Sequence, residues 1–408
     1  MLVKTRQDHR AIVLEQCNEL VKKIKKRRFD LIELLSHYET FDTANDEIER
    51  SLETLQGIAK EFSSIKKPLN DLTIATFFPL NLPLYSLVLF GIAPSAFAKH
   101  VFIRPPEVMV EILQNIYGFL NVSHHFPNVS LHPLPRKVFM DLYASDADIV
   151  IFTGKYENAL DIQAKCPQAL LIYNGSGINP FVIFKGADID LAVSKAVEMR
   201  CFNSGQDCAG PDAFFVPSNI SDQFIGKLQE ALKSIKVGDS KDPDVKISRT
   251  IKESYLQQLS VFLEKESAFQ IYGGEINHDK GYVYPTIIKK NLSQHSDNFH
   301  EFFAPVFYVL SYSRLGELEK TIRSPAFKKR TMYISVFGDN PRVEEKLPFA
   351  TILKNQIVND VERGNYAYGG GGSQSNFLLY GDEKIVQPVL ISRDIHDTYK
   401  KSGLDKLF

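Results

Sequence analysis

The chain has 408 residues, a length that predicts two domains with added segments rather than one ordinary core. Hydrophobic residues make up 44% of the chain and charged residues 24%, which is typical of a soluble globular protein. The formal net charge of -1 argues against nucleic acid, an acidic substrate or a membrane surface as the partner.

The amino-terminal part is predicted to be helical over residues 8–62, because apolar residues recur there at near-helical spacing among Lys, Arg and Glu. A basic run at residues 22–28 has two readings, a nucleic-acid patch or a solvated helix face, and the neighbouring Glu and Asp residues favour the second. The first thirty residues are charged throughout, so no signal peptide is expected.

From Asp71 onward, short apolar runs alternate with helical stretches, as in α/β proteins with parallel sheets. The stretch from Leu82 to Ala98 contains two prolines and is too short to span a membrane, so a buried helix is expected. The predicted strands are 72–78, 101–104, 149–152, 170–173, 181–184 and 213–216, and a second helix is predicted over 190–200. Ligand sites are expected at the strand ends.

Cysteine usage gives one candidate nucleophile and no metal site. The chain has four scattered cysteines, Cys17, Cys166, Cys201 and Cys208, without zinc-ligand spacing, so free thiols in a reducing, cytoplasmic compartment are expected. Cys208 ends a glycine-containing loop between a predicted helix and a predicted strand, where a thiolate would be accessible to a carbonyl carbon. Taken alone, such a cysteine is more often an inert small hydrophobic residue.

Three consecutive segments, 179–184, 187–192 and 203–208, resemble the catalytic core of the aldehyde dehydrogenases, in which the final cysteine of the loop is the nucleophile. Further segments match in the family's order: Pro-Leu-Asn-Leu-Pro at 79–83, Arg-Pro-Pro-Glu at 104–107, Phe-Thr-Gly at 152–154, residues 282–286, Glu-Phe-Phe-Ala-Pro-Val at 301–306, Asn-Asp-Val at 359–361 and the glycine run at 369–372. So many ordered matches over most of the chain make chance similarity improbable.

The resemblance implies an α/β fold with two domains, each built on a largely parallel sheet with helices on both faces. Residues 1–177 would hold the amino-terminal helices and a Rossmann-like nucleotide-binding domain. Residues 178–375 would form the catalytic domain carrying Cys208. Residues 376–408 would be a tail that returns to the first domain or to a partner subunit.

The resemblance also implies an oxidoreductase in which Cys208 forms a thioester with an aldehyde or acyl substrate. The side-chain amide of Asn81 and the backbone N–H of Cys208 would stabilise the alkoxide that develops on attack. From local sequence alone, a turn-forming role is favoured for Asn81, which lies in a proline-flanked segment, and only the resemblance to the family reverses this.

The implied cofactor is NAD or NADP. Arg104 and Glu107 would bind the adenosine ribose, and Thr153-Gly154 the pyrophosphate. Glu301 would hold the nicotinamide-side ribose, with Phe303 against the nicotinamide ring. Lys155 replaces the family's small hydroxyl residue after Thr-Gly and adds positive charge beside a phosphate, so the choice between NAD and NADP stays open.

Asn174 differs from the family's pattern at a position that matters for the mechanism. It stands where hydrolytic members carry the glutamate that activates water, and an amide cannot act as a general base. Family branches without this glutamate pass the acyl group to coenzyme A or run in reverse as acyl-CoA reductases. The sequence therefore predicts acyl transfer or acyl-CoA reduction, with coenzyme A as a possible co-substrate.

Two other interpretations stay open. One is a hydrolytic aldehyde dehydrogenase that forms a carboxylic acid with another carboxylate as base. The other is a catalytically degenerate member that serves as a binding or scaffold protein, since fold does not guarantee function. The chain is shorter than typical members, and the region before Leu72 is too short for the family's usual protruding strand pair, so whether the protein forms a homodimer stays open.

Overall fold

The computed structural model describes residues 2–64, 72–175, 177–295, 298–339, 345 and 347–401. Asp71, where the α/β pattern was expected to begin, Ser176 within the Asn174 segment, and residues 402–408 of the expected tail lie outside the described residues. None of the helices in these ranges combines the length and the hydrophobicity that crossing a bilayer requires.

The elements alternate as expected for an α/β protein. The strands are β1 (Thr73–Phe77), β2 (His100–Arg104), β3 (Val129–Leu131), β4 (Ile149–Gly154), β5 (Leu170–Gly175), β6 (Asn179–Ile183), β7 (Pro211–Pro217), β8 (Lys236–Val237), β9 (Val245–Ile247), β10 (Gln270–Tyr272), β11 (Ile276–Asn277), β12 (Tyr282–Val283), β13 (Thr286–Asn291), β14 (Val306–Tyr312), β15 (Tyr333–Phe337), β16 (Thr351–Lys354), β17 (Asn376–Tyr380) and β18 (Glu383–Ile385).

The helices fill the connections between these strands. The α-helices are α1 (Leu2–Lys26), α2 (Arg28–Leu35), α3 (Phe41–Gln56), α4 (Ala59–Ser64), α5 (Pro83–Leu87), α6 (Ala93–Ser95), α7 (Val110–Leu120), α8 (Val122–His125), α9 (Arg136–Phe139), α10 (Tyr156–Lys165), α11 (Ile189–Cys201), α12 (Ser221–Lys233), α13 (Glu253–Lys265), α14 (Leu315–Ile322), α15 (Pro325–Arg330), α16 (Val358–Val361) and α17 (Ile391–Lys401). Two π-helical turns cover Val88–Ile92 and Met140–Ala144, and short 3₁₀ turns cover Glu107–Met109, Phe202–Gly205, Ser267–Phe269 and Leu292–Gln294.

The first sheet has the strand order β18-β17-β5-β4-β1-β2-β3. Its strands β5 to β3 are parallel, whereas β17 pairs antiparallel with β5 and β18 antiparallel with β17. Successive side chains alternate between the two faces of the sheet. Ile149 and Ile151 belong to the core that includes residues of α1 and α3, whereas Val150 and Phe152 belong to the core that includes residues of α9 and α10. Burial on both faces explains why these strands are continuous apolar runs.

The second sheet has the order β10-β13-β14-β7-β6-β15-β16 and is parallel except for the edge strand β10. Its central strands β6 and β7 also bury both faces, with Val182 and Phe215 on one side and Phe181 and Phe214 on the other. The α/β class with two largely parallel sheets, expected from the sequence, is confirmed.

The predicted helix over 82–98 is helical but interrupted by the π turn at Val88–Ile92, between α5 and α6. Pro94 has no N–H to donate to the carbonyl of Phe90, four residues earlier. The hydroxyl of Thr76 in β1 donates to that carbonyl instead, at 3.2 Å. The predicted strands agree with the observed ones to within a few residues, and residues 8–62 fall in α1 to α4 and their short connections.

Candidate active site

Four of the residues singled out in the sequence line one cavity that is open to solvent. Asn81 follows β1, Thr153 lies in β4, Asn174 lies in β5, and Cys208 lies in the loop between α11 and β7. Strands β5, β4 and β1 are neighbours and parallel, so their carboxyl ends bring the first three residues to one edge of the sheet.

The loop that carries Cys208 reverses the chain through three left-handed residues in a row. Asn203 has φ 47°, Ser204 has φ 59° and Gly205 has φ 79°. Non-glycine residues adopt this conformation only at an energetic cost, which surrounding contacts must hold in place. At Gly205 a Cβ atom would lie 2.3 Å from the carbonyl carbon of Ala304, so a larger residue cannot be accommodated.

Asn179 fixes the backbone of the nucleophile loop. Its Nδ2 donates to the carbonyl of Cys208 at 2.8 Å and to that of Gly210 at 3.2 Å. Its Oδ1 accepts from the backbone N–H groups of Met332 and Tyr333 at 3.2 and 3.1 Å. One side chain therefore joins the ends of β6 and β15 to the residue that carries the thiol.

Arg200 and Asp212 lie beneath the same loop, and both are buried. Arg200 donates to the carbonyls of Pro211 at 3.0 Å and Phe302 at 2.7 Å, and also to that of Gly205. Its Nη1 lies 3.5 Å from Oδ1 of Asp212, which itself accepts from the N–H of Phe302 at 2.7 Å. The pair thus ties the Cys208 loop to the segment after Glu301. The pair was missed in the sequence, where Arg200 is only the last residue of the predicted helix over 190–200.

Asn81 is held against the nucleophile loop. It lies after β1 in a turn that Leu82 continues with φ 51°. Its Nδ2 donates to the carbonyl of Gln206 at 3.2 Å, and its own carbonyl accepts from the Ser86 hydroxyl at 3.2 Å. An amide carries two N–H hydrogens, so one remains for a group in the cavity beside Cys208.

Asn174 lies at the end of β5 and is buried. Its Oδ1 accepts from Nδ2 of Asn376 at 2.6 Å, and Oδ1 of Asn376 in turn accepts from the N–H of Gly370 at 3.0 Å. Because Asn376 bonds to the oxygen of the Asn174 amide, the NH2 group of Asn174 is left to donate into the cavity. The glycine run that contains Gly370 packs tightly here: a Cβ on Gly370 would lie 2.3 Å from the carbonyl oxygen of Met332.

The thiol of Cys208 differs from expectation in its ionisation. Burial, followed by the negative charges of Asp207, Glu301 and Glu362, raises the pKa of Cys208 well above its ordinary value. The loop setting was expected to favour the thiolate, but three carboxylates and a desolvated site favour the neutral thiol. Cys208 is only half-buried, whereas the other three cysteines are buried.

We expect limited alkylation to label Cys208 before the other cysteines, slowly at neutral pH. Its rate should rise about tenfold per pH unit above neutrality, because the thiolate fraction grows in that proportion below the thiol pKa. Burial raises the pKa of Cys17 to about 12, of Cys166 to about 11 and of Cys201 to about 12, and their exposed fractions are 1%, 2% and 6%. Peptide mapping after timed alkylation measures this, and preferential labelling of a buried cysteine would contradict it.

The other residues predicted to hold a cofactor do not line this cavity. Arg104 ends β2, where its Nε donates to the carbonyl of Leu134 at 3.3 Å, and Glu107 is exposed in the turn that follows. Gly154 ends β4 and Lys155 is exposed immediately before α10. Since β2 and β4 flank β1 in parallel register, these residues share one edge of the first sheet.

Glu301 and Phe303 lie on the segment that Arg200 anchors. Oε2 of Glu301 is 3.3 Å from Nη2 of Arg330, and the N–H of Phe303 donates to the Tyr255 hydroxyl at 2.8 Å. Both side chains are partly accessible.

Several cavity residues were not anticipated from the sequence. They come from elements far apart in the chain and are Arg50 in α3, Tyr85 in α5, Asp207 beside the nucleophile, Glu362 after α16, and Tyr368. The sequence offers only weak signals for them, since Arg50 resembles any charged residue of an amphipathic helix. For Glu362, the sequence gives one signal, which is that it directly follows the family-like Asn-Asp-Val segment at 359–361.

Comparison with known proteins gives a consistent result. A family model described as "Aldehyde dehydrogenase family" matches residues 2–324. The lactaldehyde dehydrogenase of Methanococcus aeolicus is 25% identical over 256 residues, which cover 59% of this chain and 52% of that protein. Human 2-aminomuconic semialdehyde dehydrogenase is 26% identical over 311 residues, which cover 72% of this chain and 63% of that protein. The matches span little more than half the length of these curated relatives.

Solved structures show the same fold. Glyceraldehyde-3-phosphate dehydrogenase from Methanocaldococcus jannaschii, complexed with NADP, superimposes with a TM-score of 0.79 at 17% identity, covering 95% of this chain and 91% of that one. Betaine aldehyde dehydrogenase from Staphylococcus aureus, in complex with NAD+, gives 0.76 at 20% identity, covering 94% and 84%. At such identities the likeness concerns the fold alone.

Proposed function

The chain belongs to the aldehyde dehydrogenase family, and on that premise we propose that it is an NAD(P)-dependent oxidoreductase that forms a thioester at Cys208 and passes the acyl group to a thiol such as coenzyme A. The observation that carries the choice of acceptor is Asn174. It lines the cavity beside Cys208 as an amide whose oxygen is already bonded to Asn376.

The residues at the edge of the first sheet fit a dinucleotide. The hydroxyl of Thr153, in the cavity wall, is buried without a hydrogen-bond partner in the described part of the chain. Such a group is costly unless a ligand or water satisfies it. Lys155 stands before the first turn of α10, where backbone N–H groups and the helix dipole favour a phosphate. Thr153, Gly154 and Lys155 would hold the pyrophosphate, and Glu301 and Phe303 the nicotinamide end.

Cys208 performs the covalent step in this proposal. Its sulfur, once deprotonated, attacks the carbonyl carbon of the aldehyde, and the carbonyl oxygen becomes an alkoxide. The backbone N–H of Cys208 and the second N–H of the Asn81 amide are the donors for that oxygen. A bound NAD(P)⁺ would supply the hydride acceptor for this carbon, and loss of the hydride would convert the adduct on Cys208 into a thioester.

Release of the acyl group then depends on the acceptor. Water attacks a thioester slowly without a base, and a positioned base contributes roughly 10²–10⁴-fold. Asn174 donates a hydrogen bond and takes no proton. A thiol acceptor needs no such base, because its thiolate is accessible near neutral pH. Its sulfur bonds to the acyl carbon, and the sulfur of Cys208 leaves as the thiolate.

We expect Asn174→Glu to raise hydrolytic release of acid from an aldehyde by roughly 10²-fold relative to the unmodified protein. The new carboxylate would take the place of the amide, within reach of Asn376. Asn174→Gln is the matched control, since it has the same length and no base, and it should leave hydrolysis low. Acid and acyl thioester are quantified with and without coenzyme A. Acid formation by the unmodified protein at rates ordinary for enzymes, unaffected by coenzyme A, would contradict the proposal.

A further inference from the structure

One wall of the cavity is unusually polar for the tail of an aldehyde. Tyr85 and Tyr368 are 5% and 4% exposed, and both line the cavity. Their hydroxyl groups are buried and have no hydrogen-bond partner within the described ranges. A buried hydroxyl without a partner destabilises the protein, so two of them on one wall point to a ligand with hydrogen-bonding groups.

The charges on this wall are unbalanced. Arg50 is the one basic residue among the described residues that line the cavity, and it is 4% exposed. Its Nε lies 2.5 Å from Asp46 and its Nη2 donates to Asn359 at 2.9 Å. Asp207 and Glu362 add two more carboxylates that its positive charge also reaches. The described lining of the cavity therefore holds one cation, which is already paired with Asp46, and two further carboxyl groups.

Asp207 and Glu362 are held by neutral donors only. Asp207 accepts from the N–H of Ala209 at 2.7 Å, and Glu362 accepts from the Tyr333 hydroxyl at 2.8 Å. No ion pair among the described residues involves Asp207 or Glu362, because Arg50 pairs with Asp46 and Arg200 with Asp212. Burial raises the pKa of both carboxyl groups, although the charge of Arg50 reaches both and that of Arg200 reaches Asp207. Tyr85, Glu362 and Tyr368 all line the same cavity.

We propose that this wall, formed by Tyr85, Glu362 and Tyr368 with Asp207 beside them, binds a protonated primary amine on the substrate, so that the substrate is an aminoaldehyde or the corresponding aminoacyl thioester. The inference rests on the proposed function for the reacting end and assigns the chemistry of the other end. An ammonium group supplies the missing positive charge. Its three N–H bonds are donors to the two tyrosine hydroxyls and the carboxylate.

Other tails fit this wall less well. A carboxylate tail would meet Asp207 and Glu362, and the guanidinium of Arg50 is already paired with Asp46. An aliphatic tail would leave both hydroxyls unpaired and the carboxylates without a cation. A trimethylammonium group would supply charge and stack on the tyrosine rings, but it has no N–H to donate to the hydroxyls.

The test measures binding of unreactive alcohols to the full chain by calorimetry, so neither nucleotide nor acyl acceptor is needed. We expect 4-amino-1-butanol to bind at least roughly tenfold more tightly than 1-pentanol, its neutral isostere, which corresponds to one charge-assisted contact. It should also bind more tightly than 4-hydroxybutanoate and (4-hydroxybutyl)trimethylammonium. Equal or tighter binding of any of these three would overturn the proposal.

Two variants separate recognition from structure. Glu362→Gln and Tyr85→Phe should each weaken binding of the amino alcohol by roughly fivefold or more. Tyr85→Phe should not lower thermal stability, because the hydroxyl it removes has no partner. Tyr312→Phe is the control: its hydroxyl donates to the carbonyl of Ile183 at 2.8 Å, outside the cavity. That variant should lose stability and keep its affinity for the amine.

The outcomes distinguish this inference from the proposed function. If neither Glu362→Gln nor Tyr85→Phe weakens amine binding, the inference fails whatever the chemistry at Cys208. If the amino alcohol binds as expected but no aldehyde is turned over with NAD(P) and coenzyme A, the proposed function fails and the amine site stands.

Discussion

Replacing Cys208 with alanine is expected to lower NAD(P)H formation from aldehydes by roughly 10⁴-fold or more, because Cys208 is the one thiol among the described residues that line the cavity. Alanine fills almost the same volume, and the carbonyl of residue 208 keeps its bond to Asn179. The fold and the nucleotide affinity should therefore change little. Initial rates and calorimetry with NAD and NADP measure the two effects separately.

Two companion variants sharpen this test. Asn81→Ala should lower turnover by roughly 10²–10³-fold, the usual effect of removing one donor to an oxyanion. Cys201→Ala is the matched control, since it removes a buried thiol that faces the core instead of the cavity. It should keep near-normal turnover. Substantial activity in Cys208→Ala, or loss of nucleotide affinity in both site variants with the fold intact, would mean that the site is misassigned.

Replacing Arg200 with methionine is expected to lower the free energy of unfolding by about 3–5 kcal/mol, the usual cost of breaking a buried ion pair. Three backbone carbonyls lose a donor in this variant, and the carboxyl of Asp212 loses its cation. Burial already raises the pKa of Asp212 to about 7. The three carbonyl bonds therefore account for much of the expected loss. Denaturant unfolding followed by circular dichroism measures it.

Lys227→Met provides the comparison for this variant. Lys227 pairs with Asp190 on the surface, and the two side chains are 41% and 78% exposed. Removing an exposed pair of this kind changes the free energy of unfolding by less than about 1 kcal/mol. If the Arg200 variant unfolded at the same denaturant concentration as the Lys227 variant, the buried pair would not hold the nucleophile loop as described.

The fold could be predicted largely from local pattern. Strands such as β4 and β5 are buried on both faces, so they are short continuous runs of apolar residues that stand out in the sequence. The π turn at Val88–Ile92 could not be foreseen, because it depends on a carbonyl freed by Pro94 and satisfied by Thr76 from another element. Tertiary hydrogen bonds of this kind leave no mark on hydrophobic spacing.

The candidate site was predictable where residues belong to segments shared with the family. Asn81, Thr153, Asn174 and Cys208 were singled out in this way, and they line one cavity. Their chemical roles remain proposals. The thiol pKa could not be foreseen, since the charges that raise it come from residues as distant in sequence as Glu301 and Glu362.

The polar wall of the cavity could not be predicted either, because its residues are far apart in the sequence. Arg50 and Tyr85 lie on amino-terminal helices, and Glu362 and Tyr368 lie nearly three hundred residues later. Each has an ordinary local context: a charged residue on an amphipathic helix, or an aromatic residue beside glycines. Only the packing of α3 and α5 against the segment after α16 brings the four together.

The pairing of β17 with β5 joins two strands that are synthesised at different times. Asn174 and Asn376 are 202 residues apart, which corresponds to roughly 10–40 s of synthesis at about 5–20 residues per second. During that interval β5 is an edge strand, and its unpaired backbone N–H and C=O groups are open to pairing with other chains. The whole second sheet emerges from the ribosome before β17 closes that edge. If synthesis stalls before β17 is made, β5 remains an unpaired edge strand. We therefore expect such an incomplete chain to be prone to aggregation when it is released.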